Sequence, residues 1–218
     1  MDVLVSTVGL VLVVPLFAAI AFAIWLEDGG PVFYRQVRVG RAGRAFEITK
    51  FRSMTAATRA CGSNLTVGGD PRVTRVGALL RHSKLDELPQ LINVLMGEMS
   101  LVGPRPETPD LMVHYTPAQR ATMLCIPPGM TDYASVVLRD ESTLLARAPD
   151  PVRLYRERLM PLKHELCVRY ISEIGPLTDA RIVLATLWSI SFPCAGNPFI
   201  DRTVSGQIDG LLGIDDVA

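Results

Sequence analysis

After Asp2, no charged residue occurs before Glu27, and only Met1-Asp2 precedes this apolar run. The lack of a basic n-region, together with the length of the run, argues against a cleaved signal peptide. The four cysteines, Cys61, Cys125, Cys167 and Cys194, form no CxxC pair and have no histidine at ligand spacing. A zinc site and a disulfide framework are therefore disfavoured, and reduced thiols in a cytosol-facing protein are expected. No internal repeat or low-complexity tract is present, which sets repeat architectures aside. Gly40 and Gly43 are not followed by Gly-Lys-Ser/Thr, so they do not make a phosphate-binding loop. Net charge is also nil.

The 218 residues allow one domain of ordinary size and at most an appendage. Val3 to Leu26 would span about 36 Å as a straight helix, against roughly 30 Å of bilayer hydrocarbon. It reads as a membrane segment. Pro15 removes one backbone hydrogen bond in its middle, so a kink is expected near residues 11 to 15. Two topologies fit: a spanning helix with a tolerated kink, or a bent, re-entrant helix that enters and leaves by one face. Basic residues after Pro31 assign that side to the cytoplasm, whereas Met1-Asp2 is too short to orient the other end.

Between Glu27 and Arg105 stand twelve Arg or Lys against seven Asp or Glu, an excess of five positive charges. Such a bias suits phosphorylated ligands or an anionic membrane surface, and equally a solvated basic face. Val32 to Val39 and Ala45 to Phe51 have strand composition and predict a β-hairpin. Lys50 and Arg52 flank Phe51 and share one face. Residues 55 to 71 read as a polar loop, and Val73 to Arg81 as a helix.

The most informative stretch is Ser83 to Pro106, SKLDELPQLINVLMGEMSLVGPRP. Pro89 suits a first helical turn and Gly97 a C-terminal cap, predicting a helix from Pro89 to Met96. Asp86 and Glu87 then lie just before it or in its first turn. Acids there cap orphan N–H groups and complement the helix dipole. The same field favours a phosphate or a magnesium-bound phosphate beside a carboxylate. Arg105, between two prolines, sits on stiff extended backbone that can aim a bidentate guanidinium at phosphate oxygens.

Taken together, GPVFYRQVRVGRAGRAFEITKFRSM, RVTRVGALLRHSKLDELPQLINVLMGEMSLVGPRP and PPGMT strongly resemble the bacterial sugar transferase family. These are monotopic phosphoglycosyl transferases, and the likeness runs from about Asp2 to Thr186. It implies transfer of a sugar 1-phosphate from a UDP-sugar to undecaprenyl phosphate with release of UMP. Asp86 would be the nucleophile that forms a phospho-aspartyl intermediate, in ping-pong order. Glu87 would assist through Mg2+ or proton handling, with Asp86 and Glu87 as the metal ligands. Arg105 would bind phosphate, with Lys50, Arg52, Arg75, Arg81 and Arg139 as further substrate-binding candidates.

The resemblance also implies a minimal form at the bacterial inner membrane, a re-entrant helix bent near Pro15, and a catalytic domain on the cytoplasmic face. The work would be the first membrane step of glycoconjugate or polysaccharide assembly, such as exopolysaccharide or lipopolysaccharide. Membrane lipid is an expected partner; nucleic acid is not. Three departures stand out. Only Met1 precedes the matched Asp2, where the family often carries Lys-Arg. Val14-Pro15 replaces Ser-Pro. The segment after Pro128-Gly129-Met130-Thr131 is atypical, with Arg139 near the place of the family's arginine. The alternatives are a catalytically idle, membrane-associated scaffold and a glycosyltransferase that would liberate UDP.

Toward the C-terminus, Asp150-Pro151 opens an amphipathic helix with Leu154, Tyr155, Leu159, Leu162, Leu166 and Tyr170 on one face. Asp179 to Ile190 is a second, more apolar helix with Trp188, suited to core packing or to the membrane interface. The expected fold is α+β. Residues 1–28 form the membrane helix, 29–192 a mostly helical catalytic domain with a β-hairpin and interfacial amphipathic helices, and 193–218 a tail.

Overall fold

The structure, a computed structural model, describes residues 2–55, 70–192 and 196–200. Most of the expected 55–71 loop and of the 193–218 tail lies outside them. The described fold is α+β, as the sequence predicts.

Helix α1 (Asp2–Asp28) runs on through Pro15. Its length and hydropathy suffice to cross a membrane. Yet it does not stand clear of the rest of the chain. Asp2, Ser6, Gly9, Val13, Phe17, Ile20 and Ile24 are buried or half-buried, a stripe that recurs every three or four residues along the whole helix. Val3, Val8, Val11, Leu12, Phe22, Trp25 and Leu26 are exposed on other faces.

The predicted hairpin is present as β1 (Phe33–Val39) and antiparallel β2 (Ala45–Phe51), with Phe33 opposite Phe51. Helix α2 (Arg75–Ser83) is capped by Thr74, whose hydroxyl accepts from Gly77 N, and its first amides also donate to Glu27 at the end of α1. The Glu27 carboxylate satisfies orphan N–H groups there, as anions do at helix N-termini. Phe17, Ile20 and Ile24 of α1 pack with Phe51 and Leu80. The Phe17 and Phe51 rings meet edge to face at 4.9 Å.

The helix predicted from Pro89 to Met96 is α3 (Gln90–Leu95), preceded by a separate 3₁₀ turn, Leu85–Glu87. Lys84 makes the break: at φ 58° it is in the left-handed region and ends α2. Asp86 is thus on a tight turn just before α3, one of the two positions the sequence allows. Asn93 pins α3 to the hairpin, accepting from Thr49 N at 3.0 Å and donating to Glu47 O at 2.8 Å.

Strand β3 (Ser100–Val102) pairs in parallel with β4 (Gly129–Thr131), which brings the LVGPRP and PPGMT segments together. Between them lie α4 (Pro109–Met112) and α5 (Pro117–Met123). Gly103 N donates to Thr131 O and Gly129 N to Pro104 O, both at 3.0 Å. A Cβ on Gly129 would overlap the Gly103 backbone, so the close approach requires glycine there.

Short helices α6 (Tyr133–Val137) and α7 (Glu141–Arg147) follow. A long helical run then comprises α8 (Pro151–Leu154), a π-helical stretch Tyr155–Leu159, and α9 (Met160–Ser172). Tyr155, Leu159, Leu162, Leu166 and Tyr170 are buried, as their spacing predicts. Helix α10 (Pro176–Ser191) completes the core with Ile182 and Ala185, while Leu177, Leu184 and Leu187 stay exposed.

Candidate active site

The 3₁₀ turn, the end of β2 and the Pro104-Arg105-Pro106 segment converge on a cleft of about 320 Å³. Asp86, Glu87, Lys50, Arg81, Lys84, Arg105 and Arg38 line one part of it. The two adjacent acids have opposite surroundings. Lys50 Nζ lies 2.6 Å from Glu87 Oε1, and Arg105 forks onto the same carboxylate through Nη2 to Oε1 and Nη1 to Oε2. Burial would raise the Glu87 pKa, but the Arg105 and Lys50 charges outweigh it and hold the carboxyl well below the usual range. Glu87 is an anion with both oxygens engaged.

Asp86 is only 8% exposed, and its carboxylate has no hydrogen bond or ion pair among the described residues. Burial, and then the Glu87 charge, push its pKa up, against the opposing pull of Lys50, Arg81 and Lys84. A buried carboxylate left without a partner stays available to an incoming electrophile or cation. The neighbouring cations are poised by the same burial. Desolvation lowers Lys50 against the pull of Glu87, and lowers Lys84 and Arg38 as well.

No cluster of three or more metal-ligating side chains exists among the described residues. The donor set still fits Mg2+, which commonly takes one or two carboxylates and completes its shell with substrate phosphates and water. Of the two expected ligands, Asp86 suits that role. Glu87, held by Lys50 and Arg105, does not.

The sequence-predicted cations separate. Lys50, Arg81, Arg105 and Arg139 line the cleft. Arg139 does so with its guanidinium spent on the Ser189 and His82 carbonyls at the ends of α10 and α2, so it ties helices rather than offering itself to a ligand. Arg52 is not in the cleft; it is 7% exposed, pairs with Asp28 and packs over Gly30, where the chain leaves α1. Arg75 is also outside, exposed at the start of α2.

Sequence reasoning missed Arg38, whose Nη1 donates to Pro106 O at 2.9 Å and steadies the Arg105 loop. It also missed Asp132, which caps α6 through Ser135 N and faces Arg105 N. It missed Lys163 as well, although a lysine among the buried positions of an amphipathic helix is a signal that could have found it.

The family model for bacterial sugar transferases matches residues 1–192. The chain belongs to that family. It is 36% identical over 192 residues to the UDP-glucose:undecaprenyl-phosphate glucose-1-phosphate transferase of Caulobacter vibrioides, covering 87% of this chain and 68% of that protein. It is likewise 36% identical over 190 residues to the Escherichia coli K12 protein of that name, covering 86% and 38%. The exopolysaccharide production protein ExoY of Rhizobium meliloti is 38% identical over 161 residues, covering 67% and 71%. Against other curated relatives the chain spans about a quarter to three fifths of their length.

Proposed function

We propose that this chain transfers a sugar 1-phosphate from a UDP-sugar to undecaprenyl phosphate, with Asp86 as nucleophile. One observation carries the reading: a buried, partnerless Asp86 carboxylate opens onto a cation-lined cleft while its neighbour Glu87 is neutralised by Lys50 and Arg105. The printed names of the relatives support the reaction class.

An Asp86 oxygen attacks the β-phosphorus of the nucleotide sugar. The bond to the bridging oxygen breaks, and UMP leaves with the electron pair. The resulting sugar-phosphoryl aspartate is attacked at phosphorus by an oxygen of undecaprenyl phosphate, which frees the Asp86 carboxylate. No proton has to move in either step, which suits a cleft without a catalytic histidine. Arg105, Arg81 and Lys84 neutralise phosphoryl oxygens, and Glu87 holds Lys50 and Arg105 in place. Bound Mg2+, held by Asp86, would supply further charge neutralisation at the diphosphate.

The membrane reading follows from the two ends of α1. Asp2 Oδ2 accepts from Ser100 Oγ at 2.6 Å, and Glu27 accepts from the Arg75 and Val76 amides. Both ends are therefore tied to the catalytic domain, which favours a monotopic helix with both ends on the cytoplasmic side over one that carries its N-terminus across.

Purified protein with Mg2+, undecaprenyl phosphate and a panel of UDP-sugars is expected to release UMP. Release of UDP would refute the chemistry, and Asp86→Asn turning over at the parental rate would refute the nucleophile. An N-terminal tag reached only from the periplasm would refute the topology.

A further inference from the structure

The cleft has a second end that the proposed chemistry does not use. There Lys163 Nζ lies 3.0 Å from each Glu141 oxygen, 4.0 Å from Glu107 Oε1 and 3.2 Å from the Tyr155 hydroxyl. Tyr155 in turn donates to Glu107 at 2.9 Å, and its ring faces the Lys163 ammonium at 4.6 Å. All four residues line the cleft. Two carboxylates flank one ammonium, and the Arg38 guanidinium also feels the Glu107 charge, so charges are paired here, unlike the cluster of cations around Asp86.

The backbone is shaped to build this group. Eight α-helical residues would leave Tyr155 and Lys163 about 80° apart around the axis. The π-helical stretch Tyr155–Leu159 turns more slowly and brings them into contact. Such insertions recur at functional sites. The network also opens in one place. The side chains of Lys163 and Glu107 are 11% and 7% exposed, whereas that of Glu141 is 25% exposed.

Resting on the proposed donor class, we infer that Glu141, oriented by Lys163, is a specificity-determining residue that accepts hydrogen bonds from the hydroxyl or amide groups of the donor's sugar. The diphosphate goes to the cations around Asp86, and Glu141, the most exposed member of the network, is left facing the neutral part of the donor. Glu141 accepts from neutral O–H and N–H donors, and ionised acceptors make the stronger bonds. Arg105 and Glu141 line the same cleft, so one ligand can meet both. The Ser135 hydroxyl, buried without a partner on the same cleft, adds an unused polar group.

The test compares the parent, Glu141→Gln and Glu141→Asp with UDP-sugars that differ at single hydroxyl or acetamido positions, reading UMP release, and measures inhibition by UMP. For Glu141→Gln, kcat/KM for the preferred donor is expected to fall at least about tenfold, and the ranking of donors to compress. Glu141→Asp should restore part of that discrimination, and UMP inhibition should stay within about twofold of the parent. An equal loss for all donors, or a parallel loss of UMP affinity, would overturn the inference; the latter would make Glu141 a reader of uracil. A parent that releases UMP from no UDP-sugar would overturn the donor reading itself, whereas normal parental turnover with unchanged discrimination in both variants would overturn this inference alone.

Discussion

Lys50 Nζ rests 2.6 Å from Glu87 Oε1, joining the end of a β-strand to the turn that bears the candidate nucleophile. Each side chain is less than one-fifth exposed. Removing one partner would leave the other charged and buried, which typically costs about 3–5 kcal/mol. Lys50→Ala is expected to lose stability toward the lower end of that range, since Arg105 still holds Glu87. Denaturant unfolding in detergent measures it.

Asp86 and Glu87 link to pH with opposite signs. Glu87 has a depressed folded pKa, so its contribution is present above the unfolded value near 4.5 and is lost as pH falls through the folded one. Asp86 has a raised folded pKa, so its contribution is full below 3.8 and is lost as pH rises through the folded value. Asp86→Asn should therefore abolish turnover yet raise the Tm at pH 7, by roughly 2–4 °C per kcal/mol relieved. The gain should vanish below pH 4, and thermal scans across pH would show it. A lower Tm at pH 7 would contradict the assignment.

Arg105 and Arg52 should respond differently to substitution. Arg105→Lys loses the fork onto Glu87 and its aim into the cleft, and is expected to lower kcat/KM roughly 10²-fold. Arg52→Lys disturbs the clamp to Asp28 and should lower the Tm while leaving KM for the donor unchanged. Paired kinetics and melting curves separate the two roles.

Gly129→Ala places a methyl group against the Gly103 backbone. Because backbone must move to admit it, destabilisation of about 1–3 kcal/mol is expected, with reduced turnover as the adjacent Arg105 loop shifts. Melting temperature and UMP release report the two effects.

Local rules carried far in the residues after α1. Alternation in Val32–Val39 and Ala45–Phe51 marked the hairpin, and helical spacing marked the buried face from Tyr155 to Tyr170, because both depend on residues close in sequence. The separate 3₁₀ turn that carries Asp86 escaped them. It hangs on Lys84 adopting a left-handed conformation that lysine has no local reason to choose. The roles of the cations escaped for a related reason: Lys50 and Arg52 are two residues apart at the end of β2, and only their distant partners, Glu87 and Asp28, distinguish a site residue from a clamp.

The sequence by itself determined that a long uncharged helix precedes a basic, α+β domain, whereas only the family resemblance implied that Asp86, Glu87 and Arg105 act together. Apolar length, periodicity and proline stiffness are properties of contiguous residues. Tertiary structure decided which of two adjacent acids is free and which cations face the cleft. It also showed that Asp2 reaches Ser100 while Glu27 reaches Arg75 and Val76, tying both ends of α1 to one domain. Those outcomes depend on contacts across tens of residues, where burial and partner charge, not residue type, set what each group can do.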